Sequence, residues 1–502
     1  MKTGLSKSLY TKGLQCQKAL WLKKYNKDAL TPPNAATMAR FKEGNVVGDL
    51  ACDLFPGGRE IPFIGTFFSE KLSLTKKWID EGLDDIYEAT FKYDDVLVMV
   101  DIFHKKSDGS FEIYEVKSST EVKEVYEHDA SIQYYVLNGL GYNISNVYIT
   151  ILDTDYIRGD ELDIQQLFTH KKVTNEALAL QDDIPTTLSK FKAMLTDTVN
   201  EPYIEIGRHC KKPYECDALD YCWKKQRGIP EYSVFDIFQM NKSPKSVQLY
   251  KEGIVAVEDI PEGMKLTDKQ QTKVDVWKAQ KGVINKDAIK IFVESISYPI
   301  YHFDFETLGP AIPSFKGMKP YGKYPFQYSL HIEQEDGSLE HKEYLATPGQ
   351  DPREAIAKRM VEEIPKDACV MAFNIGFEKG IIRTLVENCP VCADHLMNIH
   401  DNFIDLATPF QSGDYWMPEM QGHYGLKYAL PAIVPEMKDA YHDLDGVHNG
   451  GDAMRMFVKL GKATDIAEIA RIKTALLEYC KLDTYAMVKI LEKLKRLCVT
   501  IK

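Results

Sequence analysis

Long apolar runs are missing from this sequence. No segment approaches the roughly 18–20 consecutive apolar residues that a helix needs to cross a bilayer, and residues 1–4 lack the apolar stretch of a secretory signal peptide. We therefore expect a cytoplasmic protein with no membrane partner. Ten cysteines in 502 residues are too few for a disulfide scaffold, so we interpret those with motif spacing as metal ligands or core residues.

Positive charge is also in short supply. The chain has 62 lysines and arginines against 74 aspartates and glutamates, which gives a net charge of -12 at pH 7. Such a surface cannot attract a polyphosphate over its whole area, so any nucleic-acid site must be a local basic groove. With 44% apolar and 27% charged residues, the composition is nevertheless typical of a globular protein that buries sizeable cores.

The length of 502 residues predicts two or three domains. The chain turns polar and irregular after a cysteine-rich segment, and we place the first boundary there. The following stretch has short helical patterns broken by glycine and proline, whereas strand-like and helical segments alternate again further on. We predict an α/β domain over residues 1–223, a helical connector over 224–295 and a second α/β domain over 296–502. Within the connector, residues 249–257 look like half of a helix-hairpin-helix, with an ordinary helical spacer as the alternative.

The first domain contains a predicted hairpin with carboxylates in it. Apolar residues over 96–103, a turn at 107–110 and a second apolar segment over 111–117 indicate two antiparallel strands. A helix over 125–138 and a strand over 146–152 are predicted to follow. The order is therefore strand, strand, helix, strand.

The hairpin is expected to bring Asp101, Glu115 and Lys117 together. Residues two apart on a strand share a face, and the partner strand supplies Asp101 alongside them. Burying two carboxylates beside an apolar strand is unfavourable unless a cation neutralises them, as Mg²⁺ does. Lys117 would then position or activate an attacking water. A salt-bridge ladder on an edge strand is the alternative that this spacing leaves open.

The stretch from Asp101 through Glu115-Val116-Lys117 to Gln133-Tyr134-Tyr135 resembles the PD-(D/E)xK nucleases of the RecB type. The resemblance spans about the first 223 residues and implies a restriction-endonuclease-like α/β core. It also implies that Asp101 and Glu115 hold Mg²⁺ or Mn²⁺, that Lys117 is catalytic and that Gln133 contacts the substrate.

Two departures from that family stand out. Gly48 occupies the position at which these nucleases often supply a histidine metal ligand, and Gln133 is not followed by a tyrosine four residues later. Glu88, upstream of the Asp101 strand, is a further candidate ligand that would complete the site. An inactive first site is the alternative.

Three cysteines follow the core of the first domain. A Cys-x5-Cys-x5-Cys pattern is formed by Cys210, Cys216 and Cys222. It lies in an irregular, proline-containing segment that lacks the apolar periodicity of a helix or strand. Core packing explains them poorly, so we predict a metal centre. The pattern resembles the iron-sulfur branch of the RecB-type nucleases, in which one early cysteine, here Cys16, joins three later ones. The resemblance implies a [4Fe-4S] cluster with a structural role; four thiolates also suit zinc.

A second set of acids lies in the last third of the chain. Asp304 and Glu306 end a predicted strand, Glu378 begins a helix after another buried strand, and a long closing helix is predicted near residues 466–497. Tyr479 and Asp483 are four residues apart and therefore share a face of that helix. Four carboxylates with a phenol beside them can hold two divalent ions about 3.5–4 Å apart for in-line attack on a phosphodiester.

These residues form three ordered motifs: Asp304-x-Glu306, Asn374-x-x-Phe377-Glu378 and Tyr479-x3-Asp483. They resemble the DnaQ-like 3′-5′ exonucleases of DEDDy type over about residues 296–502, which implies an RNase H-like α/β domain. The resemblance further implies that the four acids bind Mg²⁺ or Mn²⁺, that Tyr479 orients water and that Asn374 contacts substrate. Glu378 departs from the family, in which the second-motif acid is normally aspartate.

Two weaker patterns are assigned to structure. We expect Asp405 to order a sheet edge or to support the metal ligands, with direct contact to a metal as the alternative. We expect Cys389 and Cys392 to belong to a helix end and loop despite the nearby His395 and His400.

Together the two domains resemble a bacterial family in which a RecB-like iron-sulfur nuclease is fused to a DnaQ-like exonuclease. The resemblance implies metal-dependent hydrolysis of DNA in repair, recombination or defence. Narrow carboxylate sites suit accessible single-stranded ends, and the acidic net charge argues against coating of duplex DNA. Two alternatives stay open: a ribonuclease, because nothing in the sequence indicates recognition of the 2′-hydroxyl, and a nucleic-acid-binding protein with one inactive nuclease site.

Overall fold

The computed structural model describes residues 3–62, 65–238 and 243–498. Its helices and strands build an α/β protein with mixed sheets, as predicted. The chain divides into two compact units. The first unit comprises residues 1–229 and 310–322, and the second comprises residues 230–309 and 323–502. From residue 230 onward the predicted connector therefore belongs to the second unit.

The first unit is built around one mixed sheet with helices before, within and after it. Its strands are β1 (Leu5–Ser6), β2 (Arg59–Glu60), β3 (Asp85–Tyr93), β4 (Val96–Lys105), β5 (Phe111–Val116), β6 (Ile144–Leu152) and β7 (Phe168–Lys172). Its α-helices are α1 (Lys7–Gln15), α2 (Gln17–Tyr25), α3 (Ala35–Cys52), α4 (Phe68–Asp80), α5 (Glu124–Gly139), α6 (Ile164–Leu167), α7 (Thr174–Ala179) and α8 (Asp183–Met194).

The strand order in this sheet is β2-β3-β4-β5-β6-β7, and β1 pairs with β4. β4 and β5 are antiparallel, and β5 and β6 are parallel because α5 makes the crossover between them. The predicted order of strand, strand, helix, strand is confirmed.

Two glycines at the end of α5 serve different purposes. A Cβ on Gly139 would lie 2.3 Å from the ring of Tyr93, so any larger residue there would require that ring to move. Gly141 has φ +88°, which glycine adopts without strain and which ends the helix.

The second unit contains a five-stranded sheet and a small two-stranded one. Its strands are β8 (Val283–Ile284), β9 (Ile300–Leu308), β10 (Tyr324–Glu333), β11 (Leu339–Leu345), β12 (Cys369–Ala372), β13 (Phe403–Asp405) and β14 (Tyr415–Trp416). Its α-helices are α9 (Val234–Phe238), α10 (Lys245–Lys251), α11 (Asp268–Ala279), α12 (Lys286–Glu294), α13 (Arg353–Glu363), α14 (Gly376–Asn388), α15 (Ala393–Asp401), α16 (Thr408–Ser412), α17 (Leu426–Ile433), α18 (Gly450–Leu460) and α19 (Ile466–Cys498).

The large sheet has the order β11-β10-β9-β12-β13, with β9 antiparallel to β10 and parallel to β12. Side chains alternate across β9. Phe303 and Phe305 pack with α13, α14 and α15 on one face, whereas Ile300 packs with α19 on the other. Asp304 and Glu306 therefore point to the face that α19 covers.

Residues 310–322 lie between β9 and β10 in sequence but belong to the first unit. The backbone N–H of Ala311 donates to Glu43 at 2.8 Å, and the hydroxyl of Tyr321 donates to the carbonyl of Ser118 at 2.7 Å. Ala311 is also part of a buried apolar cluster with Tyr156. No local pattern in the sequence predicts this insertion.

No helix within the described ranges has both the length and the apolar composition that crossing a bilayer requires.

Phe303 tests the core of the second unit. Its side chain is fully buried between β10 and α14, so Phe303→Ala should lower the free energy of unfolding of this unit by about 3–5 kcal/mol. Val391→Ala is the control, because Val391 is 88% exposed and its truncation should change stability little. Urea denaturation measures both. Equal stability of the two variants would contradict this core assignment.

Candidate active site

Strand register aligns the predicted acids of the first unit in a row. The β3–β4 pairing of Tyr87 with Ile102 places Glu88 opposite Asp101, and extending the β4–β5 register by one residue places Asp101 opposite Glu115. The β4–β5 pairing itself stops one residue earlier. Asp101 instead accepts a hydrogen bond at 2.6 Å from the backbone N–H of Val116.

Glu115 accepts hydrogen bonds on both of its oxygens. Oε1 accepts from Lys7 at 2.6 Å and from Lys117 at 2.8 Å, and Oε2 accepts from Gln133 at 2.5 Å. Lys117 also donates to Asp129 at 2.7 Å. The structure therefore brings the predicted residues Glu115, Lys117 and Gln133 together and adds Lys7 and Asp129.

In this first site, each charged side chain shifts the pKa of its neighbours. Burial alone would raise the pKa of Glu115, but the ammonium groups of Lys117 and Lys7 hold it at about 2. Burial, with the negative charge of Glu115, raises the pKa of Asp101 to about 7. Burial would lower the pKa of Lys117, but Glu115 and its other carboxylate neighbours outweigh burial and raise it.

A divalent cation fits this arrangement poorly. Both oxygens of Glu115 already accept hydrogen bonds from side chains, and Lys7 stands where a cation would neutralise the carboxylate. Lys7 or Gln133 must move before Glu115 can bind a metal. At Gly48, a Cβ would meet no atom within 4 Å, so packing does not explain the missing histidine.

Sequence reasoning missed Lys7 and Asp129. Asp129 lies four residues before Gln133 on α5, so helical spacing was a usable signal for it. Lys7 begins α1, far from the hairpin in sequence, and only the parallel pairing of β1 with β4 brings it to the site.

The four predicted cysteine ligands line one small cleft, together with His209. Cys16 separates α1 from α2, and the other three lie on residues 210–222, which we term the cysteine loop. The side-chain amide of Gln15 donates to the carbonyls of His209 at 2.8 Å and Tyr214 at 2.7 Å. This tie brings the early cysteine to the later ones, and the soft thiol donors fit iron-sulfur or zinc.

The second unit contains a tighter group of acids. Among the described residues, Asp304, Glu306 and Asp483 are the one set of three potential ligand side chains whose ligand atoms all lie within 4.8 Å of one another. β9 supplies the first two on one face, and α19 supplies Asp483.

Crowding and burial control the protonation of these acids. Burial and the charges of Asp483 and Glu306 raise the pKa of Asp304 well above its ordinary value. Burial and Asp483 raise the pKa of Glu306 to about 8, and burial raises that of Asp483 to about 6. Three ionised carboxylates are unfavourable here without a cation.

Glu378 stands beside this group but outside its closest contacts. Burial raises its pKa to about 7, and its charge acts on Asp304 and Glu306. Its buried Oε2 has no hydrogen-bond partner among the described residues. An orphaned carboxylate oxygen beside three repelling acids fits divalent cations that prefer oxygen ligands.

A lysine and two tyrosines complete the second site. The ammonium of Lys427 lies 3.3 Å from the hydroxyl of Tyr479 and over the rings of Tyr441 and Tyr479, at 4.6 and 4.9 Å from their centroids. Tyr441 donates to Asp483 at 2.5 Å. The sequence predicted only Tyr479, because Lys427 and Tyr441 have no motif spacing to the acids.

Asn374 follows β12 with φ +74° and an exposed side chain. Its backbone N–H donates to Asp405 at 2.8 Å, and Asp405 also accepts from the N–H of Ala407 at 2.9 Å. Asp405 therefore orders the edge of the sheet, as predicted.

Cys389 and Cys392 lie at the end of α14 and in the following turn, as predicted. Their sulfur atoms are 2.7 Å apart, but His395 bonds to the carbonyl of Ile364 and His400 to Asp401. The described residues do not gather these four side chains into a metal site.

Comparisons with known proteins add little about activity. Residues 301–425, which include Asp304, Glu306 and Glu378, match a domain of unknown function, DUF2779. The uncharacterized protein UU173 of Ureaplasma parvum serovar 3 is 27% identical over 237 residues, which cover 44% of this chain. The chain spans 34% of the length of that relative. No solved structure matches.

The raised pKa of Glu306 predicts how stability depends on pH without divalent cations. The folded protein keeps this carboxyl protonated up to about pH 8, whereas its ordinary pKa is 4.5. The folded state therefore binds the extra proton, and the free energy of unfolding falls as the pH rises from about 4.5 to 8.

We expect Glu306→Gln to raise the Tm at pH 8 and to leave it nearly unchanged at pH 5, as measured by thermal unfolding in buffers depleted of divalent cations. Glu340→Gln is the control, because Glu340 is exposed on the same sheet. A Glu306→Gln profile parallel to that of the wild type would contradict the proposed crowding.

Proposed function

We propose that this protein is a metal-dependent nuclease that hydrolyses DNA phosphodiesters. In this proposal the second unit is a DnaQ-like 3′-5′ exonuclease acting on single-stranded ends, and the first unit carries a second, PD-(D/E)xK site. The observation that carries the proposal is the crowding of Asp304, Glu306 and Asp483 within 4.8 Å. Carboxylates packed this closely, two of them buried, favour a cation-dependent reaction over a structural role.

The residues of the second site fit Mg²⁺ or Mn²⁺. Asp304, Glu306 and Asp483 would hold the metal, and the unpartnered oxygen of Glu378 would provide a fourth carboxylate. Bound divalent ions supply charge neutralisation, polarisation of the phosphate and a lower pKa for water. Glu378 is one methylene longer than the aspartate of the resembled family, and its charge still acts on Asp304 and Glu306.

Tyr479 would act by hydrogen bonding. Burial, with the charges of Asp483 and Glu306, raises the pKa of the phenol far above neutrality, so its hydroxyl stays protonated. A protonated phenol orients an attacking water but does not remove its proton. The exposed Asn374 side chain follows β12 and is available to contact the DNA substrate.

For the first site we propose a second, weaker activity, which would require Lys7 or Gln133 to leave Glu115 before a cation binds. Lys117 is held by Glu115 and Asp129 at 2.8 and 2.7 Å, as a water-positioning lysine would be. The ion pair of Lys7 with Glu115 favours the alternative in which this unit binds nucleic acid without cutting it. Separate inactivation of the two sites distinguishes these roles.

The cysteine centre is proposed to be a [4Fe-4S] cluster. A tetrahedral zinc site with bonds of about 2.3 Å needs sulfur atoms about 3.8 Å apart. The four cysteines line one cleft, and the resemblance to the iron-sulfur branch of the RecB-type nucleases favours the cluster over zinc. Because Cys16 is remote from the other three in sequence, the cluster would stabilise the fold of the first unit.

Cleavage assays test the nuclease proposal. With Mg²⁺ and end-labelled single-stranded DNA, Asp304→Asn should lower the rate of nucleotide release by about 10³-fold or more, because it removes several kcal/mol of transition-state stabilisation. Asp336→Asn is the control, since Asp336 is exposed in a turn. Lys117→Ala should remove only the products of the first site.

Three outcomes separate the alternatives. Unchanged cleavage by both Asp304→Asn and Lys117→Ala would sink the proposal. Faster digestion of a matched RNA oligomer would favour a ribonuclease. Binding of DNA without cleavage by the wild type would favour the nucleic-acid-binding alternative.

Metal analysis tests the cysteine centre. Anaerobically purified wild type should contain about four iron and four sulfide per chain. Cys210→Ser should lose most of the iron and lower the Tm of the first unit. Cys498→Ser should keep the iron content and that Tm at their wild-type values, because Cys498 lies in the second unit. Stoichiometric zinc without iron in the wild type would overturn the cluster assignment.

A further inference from the structure

The tip of the cysteine loop combines positive charge with an exposed aromatic ring. Lys211, Lys212 and Tyr214 follow Cys210 and are all exposed, and the Tyr214 residue keeps 49% of its surface exposed. The chain as a whole is acidic, so a local group of this kind is where a polyanion would bind.

Tyr214 is exposed but held in place. Its carbonyl accepts from the side chain of Gln15 at 2.7 Å, and its hydroxyl lies 3.5 Å from the hydroxyl of Tyr126. A tyrosine whose backbone and hydroxyl are both held by neighbours loses little conformational freedom when a ligand stacks on its ring. Core packing does not account for a half-exposed side chain with these contacts.

The ring also lies beside the first site. Tyr126, which Tyr214 approaches, has the ammonium of Lys117 at 5.1 Å from its ring centroid. The ammonium of Lys123 lies 6.0 Å from the same centroid. A nucleic-acid strand that reaches Lys117 would therefore pass close to Tyr214.

The lysines of the tip keep their charge available for a ligand. The ammonium of Lys211 lies 5.2 Å from the ring centroid of Trp223, so the face of an indole supports it. Asp217, the nearby aspartate of the loop, already pairs with Lys12 at 2.8 Å. Glu215 is the exposed acid that remains beside the tip.

We propose that residues 211–214 form a contact site for single-stranded DNA beside the first site, with Tyr214 stacking on a base and Lys211 and Lys212 contacting phosphates. The inference rests on the proposed function, because it assigns a substrate path to one of the proposed nuclease sites. An unstacked base has a free π-face for one exposed ring, whereas a duplex does not. The cysteine centre would then also support a substrate contact.

Cross-linking locates the contact. Single-stranded DNA containing 5-iododeoxyuridine is irradiated with the full-length protein in Ca²⁺ in place of Mg²⁺, and the cross-linked peptide is identified by mass spectrometry. We expect the peptide that carries Tyr214. Cross-links found only in other peptides would overturn the proposal while leaving the nuclease function intact.

Binding measurements give the magnitude. Tyr214→Ala should weaken binding of a short single-stranded oligomer by between about 5-fold and 150-fold, the range for loss of one base stack. Tyr214→Phe keeps the ring and should bind within about twofold of the wild type. Tyr203→Ala is the matched control, because Tyr203 is 76% exposed and bonds to Glu205 instead. Iron content verifies that each variant keeps its cluster.

Salt dependence tests the lysines. Joint replacement Lys211→Gln and Lys212→Gln should reduce the slope of log K against log salt by about 1.4, the value for two phosphate contacts on a single strand. The neighbouring pair Lys76 and Lys77 on α4 is similarly exposed, and its replacement by glutamine should leave the slope unchanged.

The failures are distinguishable. If the wild type binds no single-stranded DNA, both the proposed function and this contact fail. If the wild type binds and cuts DNA but Tyr214→Ala and the lysine pair behave like their controls, only the contact fails.

Discussion

Repulsion between three crowded carboxylates, two of them buried and one half-buried, is the constraint on which the second unit depends. Strand β9 and helix α19 place Asp304, Glu306 and Asp483 within 4.8 Å, and burial makes simultaneous ionisation unfavourable. A fold selected for stability alone would fill these positions with apolar side chains, as it does at Ile300 on the same face. The acids persist in a sheet whose opposite face is a continuous apolar core, so the rigid scaffold holds a site that is unstable by itself.

The two units differ in how the negative charge of their clustered carboxylates is compensated. In the first, Lys7 and Lys117 neutralise Glu115, and its pKa falls to about 2. In the second, the carboxylates face one another, and their pKa values rise. Lysines neutralise the carboxylate of the first site, whereas the carboxylates of the second site repel one another. This contrast is why our proposal places the principal chemistry in the second unit.

The sequence predicted those features that depend on local periodicity. The β4–β5 hairpin, α5, β9 and α19 follow from apolar spacing, and residues two apart on a strand or four apart on a helix predicted which acids share a face. The sequence did not predict Lys7, Lys427 and Tyr441 as site residues, because tertiary packing alone brings them to the sites. The same holds for the two-unit division, in which the predicted connector joins the second unit through contacts that no local pattern encodes.

Residues 310–322 give the chain an unusual covalent path. It completes most of the first unit, builds the first strand of the large sheet, returns to supply a last piece of the first core and then finishes the second unit. No single cut in the polypeptide therefore yields two complete units. A gene split at residue 229 would leave part of the first core on the other fragment, so a fragment ending there would lack the contacts that residues 310–322 make with the first unit.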